Sequence, residues 1–156
     1  MTMLSINHGA KGIVMWAWPD SPSLTPITSH LASILIGPCA PYLLGAQTIR
    51  ADLNVAGCQT IDVSAWIVGQ TMLLSIVNHS NDEKPGLITL SLPLGLQVKS
   101  IESTLLGDGA WALSPGGSAA LRASLSRNGM PGLESNLLTV RLQDVSASGN
   151  VTAAIY

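Results

Sequence analysis

Ile61-Asp62-Val63-Ser64-Ala65-Trp66-Ile67-Val68-Gly69-Gln70-Thr71-Met72-Leu73-Leu74-Ser75-Ile76-Val77-Asn78 is two strand-like runs around a Gly-Gln pair. A Gly-X pair suits a two-residue type II′ turn, because the first central residue there needs a positive φ. Closing that turn sets Ile67 against Met72, Ala65 against Leu74 and Val63 against Ile76. These six residues share one face, an unbroken apolar stripe. Asp62, Ser64 and Ser75 lie on the other face, where Trp66 falls opposite Leu73, so the second face is expected to be partly covered as well.

Alternation continues downstream. Ile88, Leu90 and Leu92 alternate with Thr89 and Ser91 and stop at Pro93. Lys99 to Leu106 ends at Gly107-Asp108-Gly109, just before Trp111. Leu121, Ala123 and Leu125 form a further short candidate, and Leu138, Val140 and Leu142 alternate with Thr139 and Arg141. Six or seven short strands between Gly, Pro and Asn signals predict an antiparallel β-sandwich over residues 47–156. No internal repeat is visible.

Upstream, residues 1–46 read differently. Lys11-Gly12-Ile13-Val14-Met15-Trp16-Ala17-Trp18-Pro19 is a continuous apolar run bounded by Gly and Pro, the pattern of a strand covered on both faces. Ile27, Leu31, Ile34 and Leu35 then recur at helical spacing, with Ser23 or Thr25 as N-cap and Pro26 near the first turn. No Asp, Glu, Lys or Arg occurs between Asp20 and Arg50. Pro38, Pro41 and His30 interrupt that stretch before the roughly 20 residues a membrane span needs, so no membrane partner is expected.

Composition narrows the function. Of 156 residues 10% are charged, against about 25% in an average soluble domain, while 47% are hydrophobic. That balance opposes disorder. A net charge of -2 without a basic run excludes nucleic acid as a leading partner. Gly 15, Pro 9, Trp 4 and no Phe suit short strands and tight turns. Cys39 and Cys58 lack metal-binding spacing and could be either one disulfide or two free thiols. No metal cluster or phosphate loop is legible, and no cofactor is called for. Asn78-His79-Ser80 and Asn150-Val151-Thr152 would permit N-glycosylation at Asn78 and Asn150 in a secreted chain. The first residues show no basic n-region and no long apolar stretch, hence no signal peptide.

The order of these motifs resembles the C-terminal part of a glycoside hydrolase, of fungal type. Asn7-His8-Gly9-Ala10-Lys11-Gly12-Ile13-Val14-Met15-Trp16-Ala17-Trp18-Pro19 is similar to the last strand of a (β/α)8 barrel, entered from a helix. Val63 to Asn78 is similar to the "W.vg..mLvsvvN" hairpin of the sandwich that follows such barrels, with Leu92-Pro93 closing the next strand. Leu105-Leu106-Gly107-Asp108-Gly109-Ala110-Trp111 fits a later "lwG...W" phrase. The resemblance implies a mainly β chain, an antiparallel β-sandwich preceded by a strand and helix left over from the barrel. It implies carbohydrate as the parent enzyme's partner, and a parent that is secreted.

Glycoside hydrolysis needs two carboxyl groups, roughly 5–5.5 Å apart for retention or 6.5–9.5 Å for inversion. Residues 1–46 contain one carboxylate, Asp20. The catalytic pair is therefore expected upstream, and this chain, a truncated or separated piece, is expected to be inactive alone. Trp16 and Trp18 point to the same side of the strand and could stack on a sugar or pack in the core. Asp20 could hydrogen-bond a sugar hydroxyl or cap the helix. His30 reads as a packing residue. A Ser23/His30/Asp20 triad has no Gly-x-Ser-x-Gly elbow behind it. The competing reading is a free-standing β-sandwich binding or structural module, which would need Trp66 or Trp111 as an exposed platform. The barrel-derived segment, without its neighbours, is expected to leave an apolar patch that drives self-association, unless its helix lies on the face of Trp66 and Leu73.

Overall fold

The hairpin forms in the expected register. In the computed structural model, which describes residues 2–14, 22–45, 49–50, 52–55, 59–92, 96–107, 110–115 and 122–144, Ile67 pairs with Met72, Ala65 with Leu74 and Val63 with Ile76. Gly69 has φ +59°, while Gln70 is not among the residues of positive φ, the backbone signature of the II′ turn. Trp66 stands opposite Leu73.

Among the described residues the protein is mostly β, with three short helices towards its N-terminal end. These are α1 (Thr2–Asn7), α2 (Leu24–Ile36) and α3 (Ala40–Leu44). The strands are β1 (Ile49–Arg50), β2 (Asp52–Val55), β3 (Ile61–Val68), β4 (Thr71–Asn78), β5 (Lys84–Ser91), β6 (Leu96–Leu106), β7 (Ala112–Pro115), β8 (Arg122–Met130) and β9 (Ser135–Asp144). They pair antiparallel throughout, in the orders β1-β3-β4-β9-β6 and β2-β5-β8-β7. The last strand thus inserts between the hairpin and β6. Edge strand β6 slips register against β9 at three points, irregularities of the kind that keep an edge from adding further strands.

The apolar stripe of the hairpin becomes the core. Ala65, Ile67, Met72, Leu74 and Ile76 cluster with Leu138, Val140 and Leu142 of β9. Ile88 and Met130 of the second strand set, together with Leu125, join the same cluster, which Trp111 also enters. Each large aliphatic side chain buried this way contributes about 1.5–3 kcal/mol.

The opposite face of β3 and β4 is buried too. Trp66, Leu73, Val77 and Leu137 cluster with Met3 and Ile6 of α1, Ile34 of α2 and Cys39. The N-terminal helices lie on the face of Trp66 and Leu73, as their need for burial requires. Gly37 ends α2 where a Cβ would sit 2.7 Å from the Ser33 carbonyl oxygen, so the sharp turn into α3 needs a glycine. Helix α2 starts at Leu24, yet its N-cap Ser23 makes no side-chain cap bond.

The strand expected over Lys11–Pro19 is not found in its described part. Residues 11–14 carry no regular structure, and the rest of the run lies outside the described residues.

One polar atom of this second face is anomalous. Ser75 is fully buried, and its Oγ meets no hydrogen-bond partner among the described residues. Removing an unpaired buried hydroxyl relieves a desolvation cost, so Ser75→Ala is expected to keep or raise the urea midpoint. A fall of more than about 1 kcal/mol would show that the hydroxyl is satisfied in solution.

Candidate functional site

Trp16, Trp18 and Asp20 lie outside the described residues, as do Cys58 and Asn150. The structure therefore brings none of the three proposed sugar-contacting residues to a described surface. His30 sits exposed on α2 and does not pack in the core as its sequence context suggests.

Where the helices meet β3, a polar junction forms that spacing alone could not reveal. The Asn7 amide donates to Asp62 Oδ1 at 2.6 Å, and His8 Nε2 lies 3.0 Å from Asp62 Oδ2. One carboxylate so ties the C-terminal end of α1 to the sheet through both of its oxygens. Ser64 Oγ donates to the Asn7 carbonyl oxygen at 3.1 Å. Ser64 is buried and its proton is spent on a backbone acceptor, so the trio of Ser64, His8 and Asp62 lacks the serine-to-imidazole contact of a nucleophilic triad. These partners are 54 to 57 residues apart, and no local pattern signals them.

A second link runs from α3. The Tyr42 hydroxyl donates to Thr71 Oγ1 at 2.8 Å, which in turn donates to the Val68 carbonyl at 3.0 Å. The hairpin turn and the helical segment are thereby fixed to each other.

Between α2, α3 and residues 10–13 lies an apolar groove of about 290 Å³, lined by Ile13, Leu31, Leu35, Ile36, Leu43 and Leu44. Lys11 is the charged residue on its rim, and its Nζ donates to the Leu43 carbonyl at 2.8 Å. Among the described residues the lining carries no aromatic ring and no convergent polar groups, which does not match the face of a sugar.

Two tryptophans, Trp66 and Trp111, are turned inward. Trp66 is 6% exposed under the helices, and Trp111 is 8% exposed in the main core. The Trp111 indole donates to Asn136 Oδ1 at 3.3 Å, and the Asn136 amide donates to Glu134 Oε1 at 3.0 Å.

Cys39 is a buried free thiol, and burial pushes it up from 9.0 to about 11, so it stays protonated and unreactive near neutrality. Asn78, the first sequon position, is fully buried, and its amide donates to the carbonyls of Asp82, Met130 and Pro131. In the folded chain that nitrogen has no room for a glycan. The sequon flags only the tripeptide, and the burial comes from partners about 50 residues away.

Among the described residues no group of three or more His, Cys, Asp or Glu stands where it could hold a metal ion. Likewise, no described helix is long and apolar enough to cross a membrane. No family model, curated protein or solved structure matches the chain.

Proposed function

We propose that this chain is the C-terminal region of a carbohydrate-hydrolysing enzyme, with its two strand sets forming an accessory β-sandwich and its N-terminal helices a remnant of the catalytic body. The observation that carries the reading is the covered second face of the hairpin sheet. Trp66 and Leu73 cluster with Met3 and Ile6 of α1, Ile34 of α2 and Cys39, and Leu31, Leu35, Tyr42 and Leu43 pack against them. A helical segment seated on a sheet through an aromatic residue is what a catalytic body joined to a structural domain would leave behind.

Chemistry supports the same conclusion. Three of the described carboxylates are engaged in structural pairs: Asp62 holds α1, Glu102 pairs with Arg141 at 2.6 Å and Asp82 with Lys84 at 3.4 Å. A glycosidase instead keeps one carboxyl protonated and one ionised across a sugar-sized gap. The role proposed for these residues is to hold the fold, while bond cleavage belongs to residues outside this chain. A binding-module reading finds less support, because Trp66 and Trp111 are both spent on packing.

The purified chain is expected to turn over no member of a panel of aryl glycosides. Turnover that is abolished by Asp20→Ala or Asp62→Asn would overturn the proposal. Genomic DNA upstream of Met1 supplies the positive test, an in-frame barrel with two carboxylates at strand ends.

A further inference from the structure

Strand β8 loses its pairing at one dipeptide. Against β5 its register runs from Arg122 opposite Ser91 to Arg127 opposite Gly86, and resumes at Met130 opposite Lys84. Asn128 and Gly129 therefore face Pro85 together, two residues against one, the count of a β-bulge. Pro85 has no backbone N–H to give that stretch. On the other side β7 reaches from Ala123 to Ser126, so no described strand pairs with Asn128 or Gly129 there either. Gly129 is half-buried, and the Glu83 side chain fills the space where a Cβ would stand.

The sequence places reactive chemistry at the same point. Asn128-Gly129 is the one Asn-Gly pair in the chain, whose other asparagines precede His, Val, Asp or Leu. An asparagine carboxamide is open to attack by the backbone nitrogen of the residue that follows. Glycine, without a Cβ, hinders that attack least and rotates most freely. A regular ladder opposes the reaction, because it engages backbone N–H groups and holds the chain extended. The bulge interrupts that ladder at this pair.

We propose that Asn128 is a site of spontaneous deamidation through a succinimide in the folded chain. The Gly129 nitrogen bonds to Asn128 Cγ, the Cγ–Nδ2 bond breaks, and ammonia leaves with the proton that the Gly129 amide gives up. Water then opens the ring. Addition at Cγ yields aspartate, and addition at the Asn128 backbone carbonyl yields isoaspartate. Nothing is oxidised or reduced, and water is the co-reactant. Either product adds one negative charge to the net -2. Isoaspartate also lengthens the backbone by a methylene, which puts the residues that follow out of step with the pleat. Met130 comes next after Gly129, is fully buried in the main core, and its carbonyl accepts from the Asn78 amide. Ageing at Asn128 thus acts on the core through Met130. The inference concerns this chain alone and is independent of the carbohydrate reading.

Incubation of the full chain in heavy-oxygen water, followed by peptide mapping in ordinary water, marks the residues converted during the incubation. The label is expected at Asn128 ahead of every other asparagine, with Asn136, fully buried on β9, as the protected comparison. The folded chain is expected to convert less than about a hundredfold more slowly than one unfolded in guanidinium chloride, because local opening suffices. A reaction that waited for global unfolding would be slowed about a thousandfold or more. Slowing beyond about a hundredfold overturns the proposal, as does label that enters another asparagine first. Asn128→Gln, whose longer side chain closes a ring far more slowly, is expected to take up no label at that position and to keep the far-UV circular dichroism of the parent. An isoaspartyl methyltransferase is expected to methylate the aged parent chain and not aged Asn128→Gln. Equal methylation of the two overturns the proposal.

Discussion

Leu74→Ala is expected to cost roughly 2–5 kcal/mol of folding stability, in the upper half of that range. Leu74 is fully buried in the middle of β4, opposite Ala65 of β3 on one side and Leu138 of β9 on the other. Both neighbours are held by continuous ladders, so neither backbone can move in to close the space that the lost side chain leaves. Ala65 already has the smallest side chain that the stripe can offer. Ile76, Met72 and residues of the second strand set belong to the same cluster, whose flexible members are the two methionines, Met72 and Met130. Trp66 and Trp111, both buried, report the urea transition by fluorescence. Ser100→Ala on exposed β6 serves as the control and is expected to stay within about 0.5 kcal/mol of the parent. An unchanged midpoint for Leu74→Ala would mean that the pairing register is wrong.

That register was legible because two signals coincide. Gly69 admits a positive φ, and period-two alternation then leaves one alignment that puts every apolar residue of the stripe on one side. Of the later strands, alternation alone made legible the stretches from Ile88 and from Leu138 to Leu142, while the first residues of both strands, from Lys84 and from Ser135, gave no such signal. The strand order was not legible. Insertion of β9 between β4 and β6 joins segments about 60 residues apart, and alternation says which face a residue takes but not which strand lies beside it. β1 and β7 are too short, at two and four residues, to show a period at all. The docking of the helices on Trp66 followed from arithmetic of burial, since a tryptophan on a nominally polar face must be covered. The junction of Asn7, His8 and Asp62 had no such signal. Polar pairs distant in sequence look like ordinary surface residues until the fold brings them together.

Asn78→Ala is the second large effect, about 3 kcal/mol or more, and it comes from polar loss in place of a cavity. Asn78 ends β4, and its two amide hydrogens serve three carbonyls, those of Asp82 at 2.9 Å, Met130 at 3.0 Å and Pro131 at 3.1 Å. Its own Oδ1 accepts from the Ser80 backbone N–H at 3.0 Å. One side chain so joins the β4–β5 loop to the β8–β9 turn, where the Leu133 N–H also donates to the Ser80 carbonyl at 2.8 Å. That turn carries Leu133 at φ +60°, a conformation costing a non-glycine residue about 1 kcal/mol or more. The bonds around Asn78 hold it there. Truncation to alanine leaves the Met130 carbonyl, the most buried of the three, without this donor, and lets the strained turn relax. Asn78→Asp separates hydrogen bonding from size. Its carboxylate would face three carbonyl oxygens with nothing to donate, which raises the folded-state pKa above the unfolded value of about 3.9. A raised folded pKa means that the folded chain binds the proton more tightly. The aspartate variant is therefore most stable below about pH 4 and loses stability as pH rises through its folded pKa. Urea midpoints at about pH 4 and pH 7 should differ between Asn78→Asp and Asn78→Ala in that direction. Equal pH dependence in the two variants would show that the amide does not donate to this trio of carbonyls in solution.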